Sequence, residues 1–176
     1  QHLSKMLRYT FERSTGIVSI REEADWLGDY LELQRLRYGG AIDYGIKVEA
    51  TAALWPVHKL ILQPFVENSL LHGFEGVTSG GLIEVKIASF DEKRIRVTIR
   101  DNGHGMARMQ VERLNRCFAG KDGGNAGQGI GLDNAALRIR SYYLGEARVI
   151  FRSWEGVGTV VALILPRAEC RHPAVP

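Results

Sequence analysis

Three short blocks rich in glycine and carboxamide side chains constrain this chain more than any other feature of its sequence. They are residues 67–73 (ENSLLHG), 101–106 (DNGHGM) and 127–134 (GQGIGLDN). Each block is weak by itself, because Asn-Gly and Gly-x-Gly are ordinary turn sequences. In this order they supply an amide, a carboxylate and a glycine-lined phosphate cradle, which are the groups that a pocket for a magnesium–nucleotide complex requires.

The composition permits a folded domain and argues against several functional classes. The 176 residues are 45% hydrophobic, their net charge is only +3, and the arginines are scattered. The sequence therefore does not predict a nucleic-acid partner. Cys117 and Cys170 lie far apart and match no metal spacing, which is typical of free thiols in a reducing compartment. No apolar run approaches the ~20 residues that cross a bilayer. Because the sequence opens with Gln1 inside a helical pattern, we expect a piece of a longer protein.

Residues 1–40 are predicted to be helical. Apolar residues recur at helical spacing over residues 3–13. Ser19 stands three residues before Glu22, a capping-box signature, so a second helix is predicted over residues 20–38. Two neighbouring apolar stripes on this helix favour packing against more than one partner. We expect the end of a helical dimerisation hairpin here; the simpler alternative is one more amphipathic helix on a globular core.

Residues 41–168 predict a second unit in which strands alternate with helices. Alternating apolar and charged residues indicate strands with one face on a core. A proline at position 56 is suited to the start of a helix, where its missing N–H costs nothing. The expected fold is an α/β two-layer sandwich, with a mixed, mostly antiparallel sheet covered on one face by helices, and residues 169–176 form a loose tail. Predicted strands are 42–48, 82–90, 94–100, 147–153 and 158–165, and predicted helices are 55–71, 107–118 and 130–144.

The first block lies on the predicted helix 55–71 and offers a metal ligand. The amide oxygen of Asn68 is a hard, neutral ligand of the type that Mg²⁺ accepts. His72 lies one helical turn further along the same face and can donate to a phosphate oxygen. Glu67 points about 100° away from Asn68, where it can polarise a water or an incoming nucleophile. The alternatives are a surface amide for Asn68 and a histidine facing the helix dipole for His72.

The second block begins with a carboxylate at the end of a predicted strand. Asp101 can accept a hydrogen bond from the 6-amino group of adenine, and it would reject guanine, which carries an acceptor oxygen there. Gly103 and Gly105 lack the side chains that would collide with a flat base. The alternative is an ordinary Asp-Asn-Gly turn.

The third block opens a helix with glycines. Over residues 127–132 the backbone N–H groups can close on phosphate oxygens, and the helix N terminus favours negative charge. The pattern is not a Walker sequence, and without a strand directly before it, it is not a convincing dinucleotide fingerprint. Residues 120–125 have the composition of a flap. We interpret them as a lid that orders over ATP, against the alternative of a flexible loop without a catalytic role.

Together these blocks resemble the Bergerat ATP-binding fold of gyrase B, heat-shock chaperones of the ninety-kilodalton class, MutL mismatch-repair proteins and histidine kinases. The three blocks resemble its N box, G1 box and G2 box in turn. Residues 156–159 (GVGT) resemble the closing G-x-G-T element, whose threonine supports the adenine-binding aspartate. The resemblance covers residues 45–166, and four motifs occur in the family's order.

Within that superfamily the chain is similar to sensor histidine kinases of the LytS-like class. Residues 62–68 (LQPFVEN) resemble that class's N box, and residues 7–9 and 30–38 resemble the helices that join its phosphoacceptor region to its catalytic domain. The resemblance implies a homodimer through upstream helices and transfer of the ATP γ-phosphate to a histidine. It also implies relay to the receiver domain of a response regulator. Full-length relatives are expected in the bacterial inner membrane, with this part in the cytoplasm.

One departure from the family concerns the phosphate acceptor. The acceptor of the family lies in a His-Phe motif, and no His-Phe pair occurs in this sequence. His2 lies where the linking helix should be, but its neighbours do not match. We therefore expect the acceptor outside this sequence, so that residues 1–176 bind ATP without phosphorylating themselves.

The resemblance assigns roles to individual residues. Asn68 is the expected Mg²⁺ ligand, with Glu67 and His72 as catalytic helpers. Two alternatives remain open: another Bergerat ATPase, such as a serine kinase acting on an anti-sigma partner, and a non-catalytic nucleotide-binding or dimerisation module with a degenerate pocket. The expected ATP-binding residues are Asn68, His72, Asp101, Gly103, Gly105, Met106, Gly127, Gly129, Ile130, Gly131, Leu132, Asn134 and Thr159.

Overall fold

A five-stranded sheet with helices on one face makes up most of residues 16–121 and 130–168, the part of the chain that the computed structural model describes. The strands are β1 (Ile17–Ser19), β2 (Ile42–Val48), β3 (Pro56–His58), β4 (Gly81–Asp91), β5 (Arg94–Asp101), β6 (Arg148–Trp154) and β7 (Gly158–Pro166); the helices are α1 (Ile20–Arg37), α2 (Gln63–Asn68), α3 (Arg108–Phe118) and α4 (Ile130–Tyr143). The sheet order is β2-β4-β5-β7-β6, in which β2 runs parallel to β4 and the other neighbours are antiparallel. The expected two-layer sandwich is thus confirmed.

The central strands bury every second side chain. In β5, Ile95, Val97 and Ile99 are buried, whereas Arg96 between them is exposed. This period of two directs the apolar face toward the helices and the charged face toward solvent. The same period brings Asp101, the last residue of β5, to the buried face, where it is 4% exposed.

Helix α1 begins at the predicted capping box and packs on the same core. The Ser19 hydroxyl accepts the Glu22 N–H at 3.2 Å, and the Glu22 carboxylate accepts the Ser19 N–H at 2.8 Å. Ile20, Leu27 and Leu31 are buried in the core cluster that also contains the inner face of the sheet. No helix among the described residues is long and apolar enough to cross a membrane. The helix predicted over residues 3–13 lies outside the described residues.

The helix predicted over residues 55–71 is wrong in its first half. Pro56–His58 form β3, which pairs antiparallel with β1, and α2 begins only at Gln63. The proline in the first turn of the helix is Pro64 rather than Pro56. Either proline is compatible with a first turn, so the position of the helix start depends on tertiary contacts.

A buried carboxylate of α1 supplies the deciding contacts. Glu23 is fully buried, and its two oxygens accept the N–H groups of Leu60 at 2.9 Å and Leu62 at 3.1 Å. A helix running from residue 55 would need both N–H groups for its own i→i−4 hydrogen bonds. The glutamate contacts therefore replace backbone hydrogen bonds of the expected helix directly before Gln63, and they fix the entry into α2.

Three phenylalanine rings hold α2 over the sheet. Phe65 of α2, Phe118 of α3 and Phe151 of β6 have pairwise centroid distances of 5.3–6.1 Å with tilted planes. Rings at such distances interact favourably beyond the area they bury. The helix that carries the first sequence block is thus anchored to both layers of the sandwich.

Candidate functional site

A buried carboxylate at the end of β5 is the centre of the candidate site. Oδ1 of Asp101 accepts the backbone N–H groups of Gly103 at 3.0 Å and Thr159 at 3.1 Å, and Oδ2 accepts the Ser69 hydroxyl at 2.6 Å. A carboxylate offers about four lone-pair positions. One position on Oδ2 therefore remains for a donor from a ligand.

Ser69 is a site residue that sequence reasoning missed. It is the first residue of the π-helical turn Ser69–Gly73 that follows α2, and it is 3% exposed. A serine inside a helix ordinarily bonds back to a carbonyl of the preceding turn, and the Phe65 carbonyl lies only 3.5 Å away. Nothing in the local sequence signals the shorter bond to Asp101, because the two residues meet only in the folded chain.

Thr159 supports Asp101 through its backbone. Its hydroxyl is instead 2.9 Å from the Ser153 hydroxyl, which also accepts the Met106 N–H at 2.8 Å and donates to the Gly158 carbonyl at 3.0 Å. Ser153 was not predicted either. It joins the turn after β5 to the turn before β7, and so fixes both sides of the carboxylate.

The glycines of the second block are required by the backbone around them. A Cβ at Gly103 would lie 2.3 Å from the Gly73 carbonyl oxygen, and one at Gly105 would lie 2.0 Å from that of Trp154. The neighbour in both cases is backbone rather than the flat base expected from the sequence. The close approach allows the His104 N–H to donate to the Gly73 carbonyl at 2.8 Å, which ties the first block to the second.

Asn68 and His72 lie in different geometry from that expected. Asn68 ends α2, is half-buried, and its amide has no hydrogen-bond partner within residues 16–121 and 130–168. His72 is exposed and belongs to the π-helical turn. Residues four apart share a face of an α-helix, but π-helical i→i+5 bonding over Ser69–Gly73 changes that spacing. Such π-helical turns are frequent at functional sites.

Glu67 faces α1. Its Oε1 accepts two hydrogen bonds, one from the Gln63 side-chain amide (Nε2) at 2.5 Å and one from the Tyr30 hydroxyl at 3.3 Å. Oε2 has no partner among the described residues. Burial, followed by the nearby charge of Glu67, raises the pKa of Tyr30 well above its ordinary value, so Tyr30 remains a donor over the working pH range.

The third block is described only in part. Gly127 and Gly129 lie outside the described residues, and Ile130 is described only as the first residue of α4. A Cβ at Gly131 would meet no heavy atom within 4 Å. Leu132 and Met106 are buried in the core, whereas Asn134 is exposed on α4.

This fold and site define a nucleotide-binding domain of the Bergerat type. The chain matches the family described as histidine kinase-, DNA gyrase B-, and HSP90-like ATPase over residues 58–169, and it belongs to that family. Residues 1–42 match the family described as histidine kinase. The expectation of an ATP-binding catalytic domain of the histidine-kinase type is thereby confirmed.

Curated relatives extend the similarity beyond the ATPase region. The sensor histidine kinase YpdA of Escherichia coli is 30% identical over 168 residues, which cover 94% of this chain and 27% of the relative. The sensor protein kinase HptS of Staphylococcus aureus is 28% identical over 171 residues, which cover 94% of this chain and 31% of the relative. The chain thus spans under a third of the length of these relatives.

Solved structures show the same fold. The nucleotide-free catalytic domain of histidine kinase ThkA superposes with a TM-score of 0.64 at 16% identity, over 87% of this chain and 97% of that one.

Proposed function

We propose that this chain is the catalytic part of a two-component sensor kinase, which binds ATP and transfers its γ-phosphate to a histidine outside residues 1–176. A response regulator receiver aspartate would then take the phosphate. The observation that carries the proposal is the buried Asp101, held at the end of β5 by three donors with one acceptor position left over.

Adenine recognition follows from that acceptor position. The 6-amino group of adenine donates to Oδ2 of Asp101, beside the Ser69 hydroxyl. Guanine has a carbonyl oxygen at this position, which cannot donate to Oδ2 of Asp101. Leaving such a buried acceptor unpaired costs about 1–3 kcal/mol or more. Thr159 acts on the base indirectly, because its N–H orients Asp101.

Asn68 fits a Mg²⁺ ion that accompanies the nucleotide. Its amide is uncommitted within the described residues, and a neutral oxygen suits an ion that takes few protein ligands and keeps several waters. When bound, Mg²⁺ would neutralise charge on the phosphates. Asn68 itself would orient the triphosphate relative to the adenine end, since Ser69 next to it contacts Asp101.

The phosphates are assigned to the third block and its neighbours. Backbone N–H groups at the start of α4 favour anions because they have no partner in the helix. Gly131 leaves open space there. In the proposal the phosphate-binding residues are His72, Gly127, Gly129, Ile130, Gly131, Leu132 and Asn134, while Gly103, Gly105 and Met106 shape the base pocket.

Glu67 is proposed as the group that takes the proton of the attacking nucleophile. One of its oxygens is held by Gln63 and Tyr30, and the other has no partner within the described residues. A positioned general base of this type typically raises the reaction rate by a factor of roughly 10²–10⁴.

The arrangement of the whole protein belongs to the proposal as well. Residues 1–40 would be the end of the dimerisation region, residues 41–168 the catalytic domain and residues 169–176 a tail. We also propose a homodimer, a receiver-domain partner and a cytoplasmic position below a bacterial inner membrane, which the resemblance to sensor histidine kinases implies; two relatives are themselves named as sensor kinases. Nothing in the charge pattern favours a nucleic-acid partner.

Calorimetric titration of residues 1–176 with ATP, ADP and GTP, with and without Mg²⁺, tests the proposal. The expected result is binding of ATP and ADP, no binding of GTP, and a gain for ATP when Mg²⁺ is present. Equal affinity for GTP would overturn the role of Asp101. Absence of any nucleotide binding would favour the non-catalytic alternative.

A further inference from the structure

Helix α1 reaches the proposed catalytic carboxylate directly, and we infer that Tyr30 is a positioning residue for Glu67. The inference rests on the proposed function, because it assumes that Glu67 serves phosphate transfer. It adds a route by which the region upstream of the ATPase domain acts on the reaction.

The two donors to Glu67 converge on one oxygen. The Gln63 amide and the Tyr30 hydroxyl both bind Oε1, and Oε2 is without a partner in the described part of the chain. Two donors of different origin fix the plane of the carboxylate, so its second oxygen points in one direction. Such orientation of a reacting group strongly affects the reaction rate, since a misplacement of about 1 Å can lower the rate by about 10²-fold.

The Tyr30 side chain is itself held in place. Its ring stacks on that of Trp26, one turn earlier in α1, with centroids 5.6 Å apart and planes 6° from parallel. At 3.3 Å the bond to Glu67 is longer than the usual 2.5–3.0 Å of a hydroxyl–carboxylate pair. Hydrogen bonds of catalytic groups are often long before the substrate binds and shorten afterwards.

The backbone around this contact is tied to α1 on both sides. Glu23 binds the N–H groups of Leu60 and Leu62 before α2, and the Tyr38 hydroxyl donates to the Leu70 carbonyl after it at 3.3 Å. A shift of α1 would therefore act on the segment around α2 at three places along the chain. At the central place, the contact is between Tyr30 and Glu67, the side chain that we propose as the base.

The contact also joins the two regions that match different families. Tyr30 lies within residues 1–42, the histidine kinase match, and Glu67 lies within residues 58–169, the ATPase match. A change in the upstream region can thus reach the orientation of the carboxylate through one hydrogen bond, without altering the nucleotide pocket around Asp101.

The matched pair Tyr30→Phe and Tyr38→Phe tests the inference. Each variant removes one hydroxyl and one 3.3 Å hydrogen bond to the segment around α2, made by Tyr30 within α1 or by Tyr38 directly after its end, and of the two only Tyr30 contacts Glu67. The full-length protein with its acceptor histidine is mixed with saturating γ-labelled ATP, and the single-turnover labelling rate and the Kd for ATP are measured. Tyr30→Phe should lower the rate about tenfold with an unchanged Kd, and Tyr38→Phe should stay within about twofold of the wild type.

A double-mutant cycle separates positioning from general loosening. In a Glu67→Gln background, Tyr30→Phe should have no further effect on the residual labelling rate. Equal effects of the two tyrosine variants, or a tenfold loss that persists in the Glu67→Gln background, would overturn the inference while the proposed function stands. A wild-type protein that binds ATP but never labels a histidine would instead overturn the proposed function, and this inference with it.

Discussion

The Ser69 hydroxyl donates a 2.6 Å hydrogen bond to Oδ2 of Asp101, and both residues are almost completely buried. The serine follows directly after Asn68, the proposed Mg²⁺ ligand, and the aspartate is the proposed adenine anchor. The bond therefore connects the two ends of the nucleotide pocket within a single contact. A short bond to a carboxylate is about twice as strong as one between neutral groups, so it also fixes the direction of the remaining acceptor position.

Replacing Ser69 with alanine should destabilise the protein by about 1–3 kcal/mol, because a buried carboxylate loses one of its donors. ATP affinity should fall by about tenfold, since Oδ2 of Asp101 is no longer oriented. Urea denaturation and calorimetry measure the two effects. The control is Ser89→Ala, which removes a comparable 3.0 Å bond to the Thr51 hydroxyl at an exposed site. If both variants unfold at the same urea concentration and bind ATP equally, the serine has no part in the site.

Replacing Asp101 with asparagine should weaken binding of both ATP and ADP by about tenfold or more. The amide nitrogen of asparagine would replace either Oδ1, which accepts the Gly103 and Thr159 N–H groups, or Oδ2, which accepts the Ser69 hydroxyl. In both cases a donor would face a donor, and the lost hydrogen bond to a charged group is worth about 1.5–3 kcal/mol. Asp91→Asn serves as the control, because its exposed carboxylate pairs with nearby residues of the same turn, the Arg94 side chain and the Lys93 N–H, away from Asp101. Calorimetry on correctly folded variants decides; unchanged ATP affinity in Asp101→Asn would remove the adenine assignment.

The position of Asp101 could be predicted from the sequence, and the reason is local. The alternation of β5 places Ile95, Val97 and Ile99 on the core face, and two further residues along the strand reach Asp101. The same holds for the start of α1, because the capping box at Ser19 involves residues only three apart. Periodicity and caps are properties of a short window of sequence.

Contacts between distant residues could not be predicted in this way. Glu23 binds backbone groups 37 and 39 positions away, and those bonds set where α2 begins. Ser69 reaches Asp101 across 32 positions. Both side chains are ordinary helix residues by composition, so their roles depend on a packing arrangement that no local pattern encodes.

Replacing Gly103 with alanine should destabilise the fold by several kcal/mol, because the added Cβ would lie 2.3 Å from the Gly73 carbonyl oxygen and only a backbone shift can relieve it. The shift would also break the bond from the His104 N–H to that carbonyl. Gly45→Ala is the control, since its Cβ in β2 would meet no heavy atom within 4 Å. Thermal unfolding compares the variants. Equal melting temperatures would mean that the two turns are not in the close contact observed.

The stability of the domain should fall as the pH drops below about 6.5, the ordinary value for a histidine, in part because of His58. Burial, and secondarily the Arg138 charge, lowers the pKa of His58. The imidazole packs against the Tyr142 ring at 4.0 Å, and its Nε2 has no hydrogen-bond partner within the described residues. Because its folded-state pKa lies below the unfolded one, the unfolded chain binds the proton first, and stability is lost as the pH falls through this range. His58→Phe keeps a stacking ring and should show a shallower pH dependence of stability. Urea denaturation between about pH 7.5 and 5, on either side of the ordinary histidine value of about 6.5, measures the difference. A His58→Phe curve parallel to the wild type would contradict the assignment.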